Sequence, residues 1–268
     1  MVRVIASFLL LSALSGCASQ QERLVELAHA HNESTQVIDT GLYPIQVMRP
    51  KGIADAKRLT IFIEGDGHAW ATSTQPSTDP SPLNLSFAAL AASTTTGIYV
   101  ARPCQFVMNA SCDRSMWTDA RFGKSAVVSM QRAIDALKRS YKADSLELIG
   151  YSGGAAIAML VAGEREDVAQ VQTIAGNVDP VGWVTLNKLS PLKGSLDPLE
   201  HAERLSRIPQ RHFVGAGDKV IPKALADGFV RKVSARCAEV VEVSGDHASI
   251  LSSVTRERLS REIMCKSF

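Results

Sequence analysis

The pentapeptide Gly150-Tyr151-Ser152-Gly153-Gly154 constrains this chain more than any other feature, because of what flanks it: an apolar run ending at Ile149 and an Ala-rich stretch beginning at Ala155. That succession reads as a strand, a sharp turn and a helix. Glycines bracket the serine because strand and helix must approach closely, and because a residue held in an unfavourable backbone conformation needs neighbours without a Cβ. Ser152 then projects its hydroxyl from the tip of the turn. Such pentapeptides also arise by chance, so the weight lies in the flanking elements; the alternative is a Gly-rich turn with an idle serine.

The remaining apolar runs are short and bounded by Gly, Pro or charge. Thr35–Asp39 and Tyr43–Arg49 read as a hairpin about Thr40-Gly41, followed by strands at Leu59–Ile63, Gly97–Ala101, Leu146–Ile149, Val171–Ala175, His212–Val214 and Val240–Val243. Helical patterns fall between them at Ser86–Ala92, Gly123–Tyr141, Ala155–Glu164, Pro222–Ser234 and Ala248–Met264. In Gly123–Tyr141 the residues Val127, Met130, Ile134 and Leu137 share one face. Strands alternating with helices predict an α/β fold with a mostly parallel central sheet covered on both faces, its active site at the carboxyl ends of the strands. No linker divides the chain, and 46% hydrophobic residues suffice for one large core. Only Asn177–Pro209, with Trp183, Leu186 and Leu189, is long enough for a modest lid, so the pocket is expected to be rather open.

A serine hydroxyl is too weakly acidic to attack an ester unaided. It needs an imidazole as base, and the imidazole needs a carboxylate to fix its tautomer. His247, in Gly245-Asp246-His247-Ala248, follows a strand on the way to a helix and so stands at the carboxyl edge of the sheet. His29 and His31 belong to a polar N-terminal stretch, His201 to a polar helical one, and His212 opens a strand; these read as solvated or structural. Asp218 lies just past the strand and glycine turn of Phe213-Val214-Gly215-Ala216-Gly217, which makes it the preferred acid, with Asp179 as the rival after the preceding strand. Asp246 reads as a turn residue because adjacent side chains diverge.

Charge developing on a tetrahedral intermediate calls for two backbone N–H donors. One is expected from Gly153, the residue after the serine. The other falls in Glu64-Gly65-Asp66-Gly67, after the strand ending at Ile63, with the Asp66 N–H preferred and Gly67 as the alternative. A carboxylate there opposes an oxyanion unless its side chain is paired or turned away. His68 reads as a turn histidine or a substrate contact. Arg102, Trp117 and Arg121 follow the strand ending at Ala101; Arg102 reads as a structural ion pair rather than a substrate anchor, and Trp117 as a pocket wall or part of a small loop core.

The elbow and the order Ser152, Asp218, His247 resemble the α/β-hydrolase superfamily, over nearly everything from Val37 onward. Further stretches resemble a group of bacterial α/β-hydrolase lipoproteins: Glu64 to Gly67 with Trp70, Ala101-Arg102-Pro103-Cys104-Gln105, Cys112 with Trp117-Thr118, and Ala175-Gly176-Asn177 with Asp179. That resemblance implies a fold and a location more than a reaction. Glu64 stands where lipases and esterases with a His-Gly-Gly-Gly oxyanion loop have histidine.

At the N-terminus, Val4 to Leu14 is an apolar segment after Arg3, too short to span a bilayer and suited to a signal peptide. It ends in Leu14-Ser15-Gly16-Cys17, which resembles the lipobox of bacterial lipoproteins; the resemblance implies cleavage before Cys17, lipidation of that residue and, with Ala18 following, outer-membrane sorting. The alternatives are an ordinary secretory signal or a buried N-terminal helix. The expected layout is a signal peptide over 1–16, a lipidated N-terminus and tether over 17–34 with a short helix or partly ordered segment at Gln20–Asn32, and the hydrolase domain over 35–268. Four cysteines remain for an oxidising compartment, and two disulfides are expected, Cys104 with Cys112 and Cys237 with Cys265, against four free or buried thiols.

A net charge of +2 without basic clusters excludes a nucleic-acid footprint, and no spacing resembles a zinc site. The chemistry needs no cofactor. The leading expectation is a membrane-anchored serine hydrolase in the cell envelope, facing the periplasm, that cleaves an ester or thioester of a small or lipid-like acyl substrate. A peptidase or acyltransferase with the same triad, or a catalytically idle envelope lipoprotein, are the alternatives.

Overall fold

The apolar runs pair into one eight-stranded sheet. In the computed structural model, which describes residues 18–52 and 55–265, the strands are β1 (Glu33–Ile38), β2 (Ile45–Pro50), β3 (Arg58–Ile63), β4 (Gly97–Val100), β5 (Ser145–Tyr151), β6 (Val168–Ile174), β7 (Gln210–Gly215) and β8 (Ala238–Val243). Their order is β1-β2-β4-β3-β5-β6-β7-β8. β2 is antiparallel to both β1 and β4, and every other neighbouring pair is parallel. The carboxyl ends of β3 to β8 therefore share one edge, and β1 points the same way.

Helices cover both faces, as a mostly parallel sheet requires. They are α1 (Gln20–Ala30), α2 (Ser86–Ala92), α3 (Lys124–Ser140), α4 (Gly153–Gly163), α5 (Pro180–Leu186), α6 (Ala202–Leu205), α7 (Lys223–Val233) and α8 (Arg256–Ser260). Successive strand residues alternate between two cores, because side chains in a strand point to opposite faces. Ile61, Ile63, Ile98, Val100 and Leu148 pack with α3, α4 and α7. Phe62, Tyr99 and Ile149 pack with α1, α2 and the C-terminal segment around Ile250, Val254 and Leu259. The expected apolar face of α3, Val127, Met130, Ile134 and Leu137, is buried. α4 is buried all round from Gly153 to Ala162, which explains its Ala-rich, unpatterned sequence.

Residues 20–30 form the short helix, one of the two readings of this stretch, and it is packed: Ser19 and Glu22 form a reciprocal capping box, and Leu24 and Ala28 are fully buried, the leucine contributing roughly 1.5–3 kcal/mol of burial. Two expectations change. The continuous helix expected at 248–264 is instead a 3₁₀ turn at Ser249–Ser252 and a separate α8. The Thr255 side chain caps the Arg258 N–H and starts a new helix where the older one would have continued. Residues 177–209 fold into α5, a 3₁₀ turn at Pro198–His201 and α6, and none of them lines the cleft described below.

Both expected disulfides are present, Cys104–Cys112 and Cys237–Cys265. The signal peptide expected at 1–16 and the lipidation expected at Cys17 lie outside the described residues. Among the described residues no helix is long and apolar enough to cross a membrane.

Candidate active site

Ser152 is the single residue between β5 and α4, with φ 49° and ψ −122°, outside the regions open to ordinary L-residues. Its surroundings over-determine that conformation. The Ser152 N–H donates to the Ile174 carbonyl at 3.0 Å, and its own carbonyl accepts from Asn177 at 2.9 Å and Ala155 at 3.1 Å. A Cβ on Gly150 would come within 2.6 Å of the Ala155 Cα, so only glycine lets the strand end and the helix start cross this closely.

The turn aims the serine at His247. Ser152 Oγ lies 3.0 Å from His247 Nε2, and His247 Nδ1 lies 2.9 Å from Asp218 Oδ2. A proton on Nδ1 donated to the carboxylate leaves Nε2 free to accept from the serine. Tyr151 braces the imidazole: its ring stacks on the histidine with centroids 5.8 Å apart, and its hydroxyl donates to the His247 carbonyl at 2.9 Å. Phe87 in turn stacks on Tyr151, with ring centroids 5.4 Å apart. Asp179 points elsewhere. It caps α5 through the Gly182 N–H and pairs with Lys232. Asp246 accepts from Ala248 and Ser249, as a turn residue does.

The loop Glu64 to Gly67 runs against the elbow; a Cβ on Gly65 would lie 3.2 Å from the Ser152 Cβ. Gln105, almost wholly buried, holds this loop: its Nε2 donates to the Gly65 carbonyl at 3.0 Å while its Oε1 accepts from the Arg102 N–H at 2.9 Å. The Gly65–Asp66 peptide is trans, so the Asp66 N–H points away from Gln105. Among the described residues neither that N–H nor the Gly153 N–H finds an acceptor.

A family model described as Serine hydrolase (FSH1) matches residues 88–249, more than half of the chain and a span that contains Ser152, Asp218 and His247. The chain belongs to this serine hydrolase family. The loop Glu64 to Gly67 lies outside the matched span. No curated protein sequence matches this serine hydrolase significantly. Among solved structures, an alpha-beta serine hydrolase homologue from Coxiella burnetii is 21% identical, over 82% of this chain and 92% of that one, with a TM-score of 0.56. Est1E from Butyrivibrio proteoclasticus is 13% identical over 80% and 90%, TM-score 0.55. The acylaminoacyl peptidase of Pyrococcus horikoshii is 14% identical over 85% of this chain and 40% of its own longer one, TM-score 0.58. At these identities the likeness is one of fold.

The cleft of this hydrolase, about 280 Å³, is lined by Asp66, Ser152 and His247 on its polar side and by Pro82, Leu83, Phe87, Tyr151 and Leu251 on its apolar side. His68 also lines it. Pro82, Leu83 and Phe87 of that apolar wall come from residues 64–87, and none of it comes from 177–209. Its sequence signal was the stretch between β3 and α2, long and without regular structure, the kind of loop that usually serves a function.

Asp66 is paired, which resolves the electrostatic objection to a carboxylate at this position. Its oxygens stand 3.5 Å from Arg102 Nη1 and 3.1 Å from Arg121 Nε, two buried cations against one anion. Both guanidinium groups also lie over the Phe122 ring, and Arg102 donates to the Arg121 carbonyl. Burial lowers the Arg102 pKa to about 10, partly offset by Asp66, so it stays charged at neutral pH. Arg102 is thus a structural ion pair. Trp117 donates to the Ser77 carbonyl and belongs to the core beside the disulfide, away from the cleft. Glu64 is buried with its oxygens accepting from the Gly65 N–H at 2.7 Å and the Tyr99 hydroxyl at 2.8 Å; burial pushes its pKa up to about 7 against those hydrogen bonds.

Proposed function

We propose that this serine hydrolase cleaves a carboxylic ester or thioester through an acyl-enzyme, with Ser152 as nucleophile, His247 as general base and Asp218 as the orienting acid. The hydrogen-bonded chain from Ser152 Oγ through His247 to Asp218 carries the reading. As Ser152 Oγ attacks the acyl carbon, Nε2 takes its proton, and Asp218 stabilises the imidazolium without itself being protonated. Negative charge on the carbonyl oxygen meets the free N–H groups of Gly153 and Asp66, and the Asp66 carboxylate, which lies against Gly153, is offset by its pairing with Arg102 and Arg121. His247 then protonates the leaving alkoxide or thiolate, and a water activated by the same imidazole releases the acid. A compact cleft with one apolar wall suits a small acyl group.

The same reading places the enzyme on a membrane through a lipidated Cys17, on the periplasmic face of the outer membrane. The apolar segment ending in Leu14-Ser15-Gly16-Cys17 and two disulfides, which persist in oxidising compartments, support this.

Labelling with a fluorophosphonate followed by a panel of p-nitrophenyl esters tests the chemistry. One equivalent should react, at Ser152, and Ser152→Ala should lose both labelling and turnover while circular dichroism stays native. Label retained by the alanine variant, or found on another serine, rules the assignment out.

A further inference from the structure

The described chain begins beside the cleft. α1 feeds through Asn32 into β1, which runs toward the carboxyl edge of the sheet, so α1 runs the opposite way and its first residues return to that edge. Arg23, one turn into α1, donates from Nη1 to the carbonyl of Leu83 at 3.1 Å, and Leu83 lines the cleft. Only Ala18 and Ser19 separate Cys17 from the helix, a leash of at most about 11 Å when extended. The helix gives no slack, because its capping box and the buried Leu24 and Ala28 fix it to the body.

A second observation concerns the same edge. Among the described residues, exposed large apolar side chains gather on the connections that leave the carboxyl ends of strands: Leu42 after β1, Trp70 and Leu83 after β3, Met108 after β4, Leu189 after β6 and Val220 after β7. Leu83 is 55% exposed and Trp70 42%. Single exposed apolar residues are ordinary, but collected around one cleft they mark an interaction surface.

We propose that this edge of the molecule lies against the lipid surface, the apolar rim in the headgroup region, so that the cleft opens toward the bilayer and receives acyl substrates presented from it. The inference rests on membrane anchoring at Cys17 and is independent of the catalytic assignment.

The test reconstitutes the full chain, with its anchor, into phosphatidylethanolamine and phosphatidylglycerol vesicles whose acyl chains carry bromine, a contact quencher of tryptophan. The protein should float with the vesicles and its emission should be quenched; Trp70→Phe should lose most of that quenching. In the Trp70→Phe background, Leu189→Trp should restore it, whereas Thr95→Trp, exposed at the opposite edge between α2 and β4, should add none. Flotation without quenching of Trp70 and of Leu189→Trp, or quenching of Thr95→Trp, overturns the orientation alone. Failure of the full chain to float overturns both the orientation and the anchoring on which it rests.

Discussion

Asp218 divides its two oxygens between the backbone and His247. Oδ1 accepts from the Val220 and Ile221 N–H groups at 2.8 Å each, which locks the carboxylate in place, and Oδ2 is left to His247 Nδ1 at 2.9 Å. The side chain is fully buried, so the interaction is poorly screened. Asp218→Asn presents an amide that favours the wrong tautomer, and kcat should fall by about 10³–10⁴ with the fold intact. Asp179→Asn, at a helix cap, should change kcat by less than about tenfold. Steady-state kinetics on a soluble ester decide it; the opposite ranking would place the acid after β6.

Gln105 touches neither Ser152 nor His247, yet it orients the Gly65–Asp66 peptide. As a positioning residue it should affect kcat more than KM. Gln105→Ala should lower kcat roughly 10- to 100-fold with KM little changed, and Gln105→Glu, which keeps the shape but loses the Nε2 donor, should not rescue it. A fall in melting temperature with kcat per labelled site unchanged would reduce Gln105 to a structural role.

The two disulfides should separate stability from activity. By loop entropy, Cys237–Cys265, closing a separation of 28 residues, contributes about 3.6 kcal/mol, and Cys104–Cys112, separation 8, about 2.5 kcal/mol. Cys104 immediately precedes Gln105 and has φ +68°. Replacing Cys104 and Cys112 by alanine should therefore cost less stability but more kcat than replacing Cys237 and Cys265. Denaturant midpoints and ester turnover on the two double variants read both effects.

Glu64 makes stability depend on pH. Its pKa rises from the ordinary 4.5 to about 7 on folding, so between those values the folded protein holds a proton that the unfolded chain has lost. Its stabilising contribution is full below about pH 4.5 and disappears as pH rises through 7. His212, buried between Thr173 and Gln210 and lowered by burial to about 4, acts in the opposite sense between about 4 and 6.5. The clean measurement is a difference: the loss of unfolding free energy from pH 5 to pH 8 should be smaller in Glu64→Gln than in wild type. An equal loss in both means that Glu64 titrates normally.

Much of the architecture was legible because its signals are local. Glycines around Ser152, alternating apolar runs and the apolar face of α3 each follow from backbone sterics or periodicity within a few residues, and they suffice for an α/β fold with a serine at a strand-to-helix turn. The order Ser152, Asp218, His247 could be read as well, since each follows a strand and parallel strands bring their carboxyl ends to one edge. Local signals misled at residues 248–264, where helical spacing continues across Thr255 but the threonine caps a new helix instead.

What the chain alone left open was settled by contacts between residues far apart in sequence. Asp218 and Asp179 both follow strands, and sequence position only ranks Asp218 first; tertiary packing gives it the imidazole and gives Asp179 Lys232 and a helix cap. The pairing of Asp66 with Arg102 and Arg121, the hold of Gln105 on Gly65, and the return of α1 to the cleft through Arg23 and Leu83 leave no periodic trace, because each depends on where separate loops meet in space. Sequence determined which elements form and which edge of the sheet carries the chemistry, since those follow from local backbone preference and burial. Only the folded chain decided how the charges at that edge are paired and which face the N-terminus leaves, since Coulomb and hydrogen-bond energies depend on distances that exist once the loops are in place.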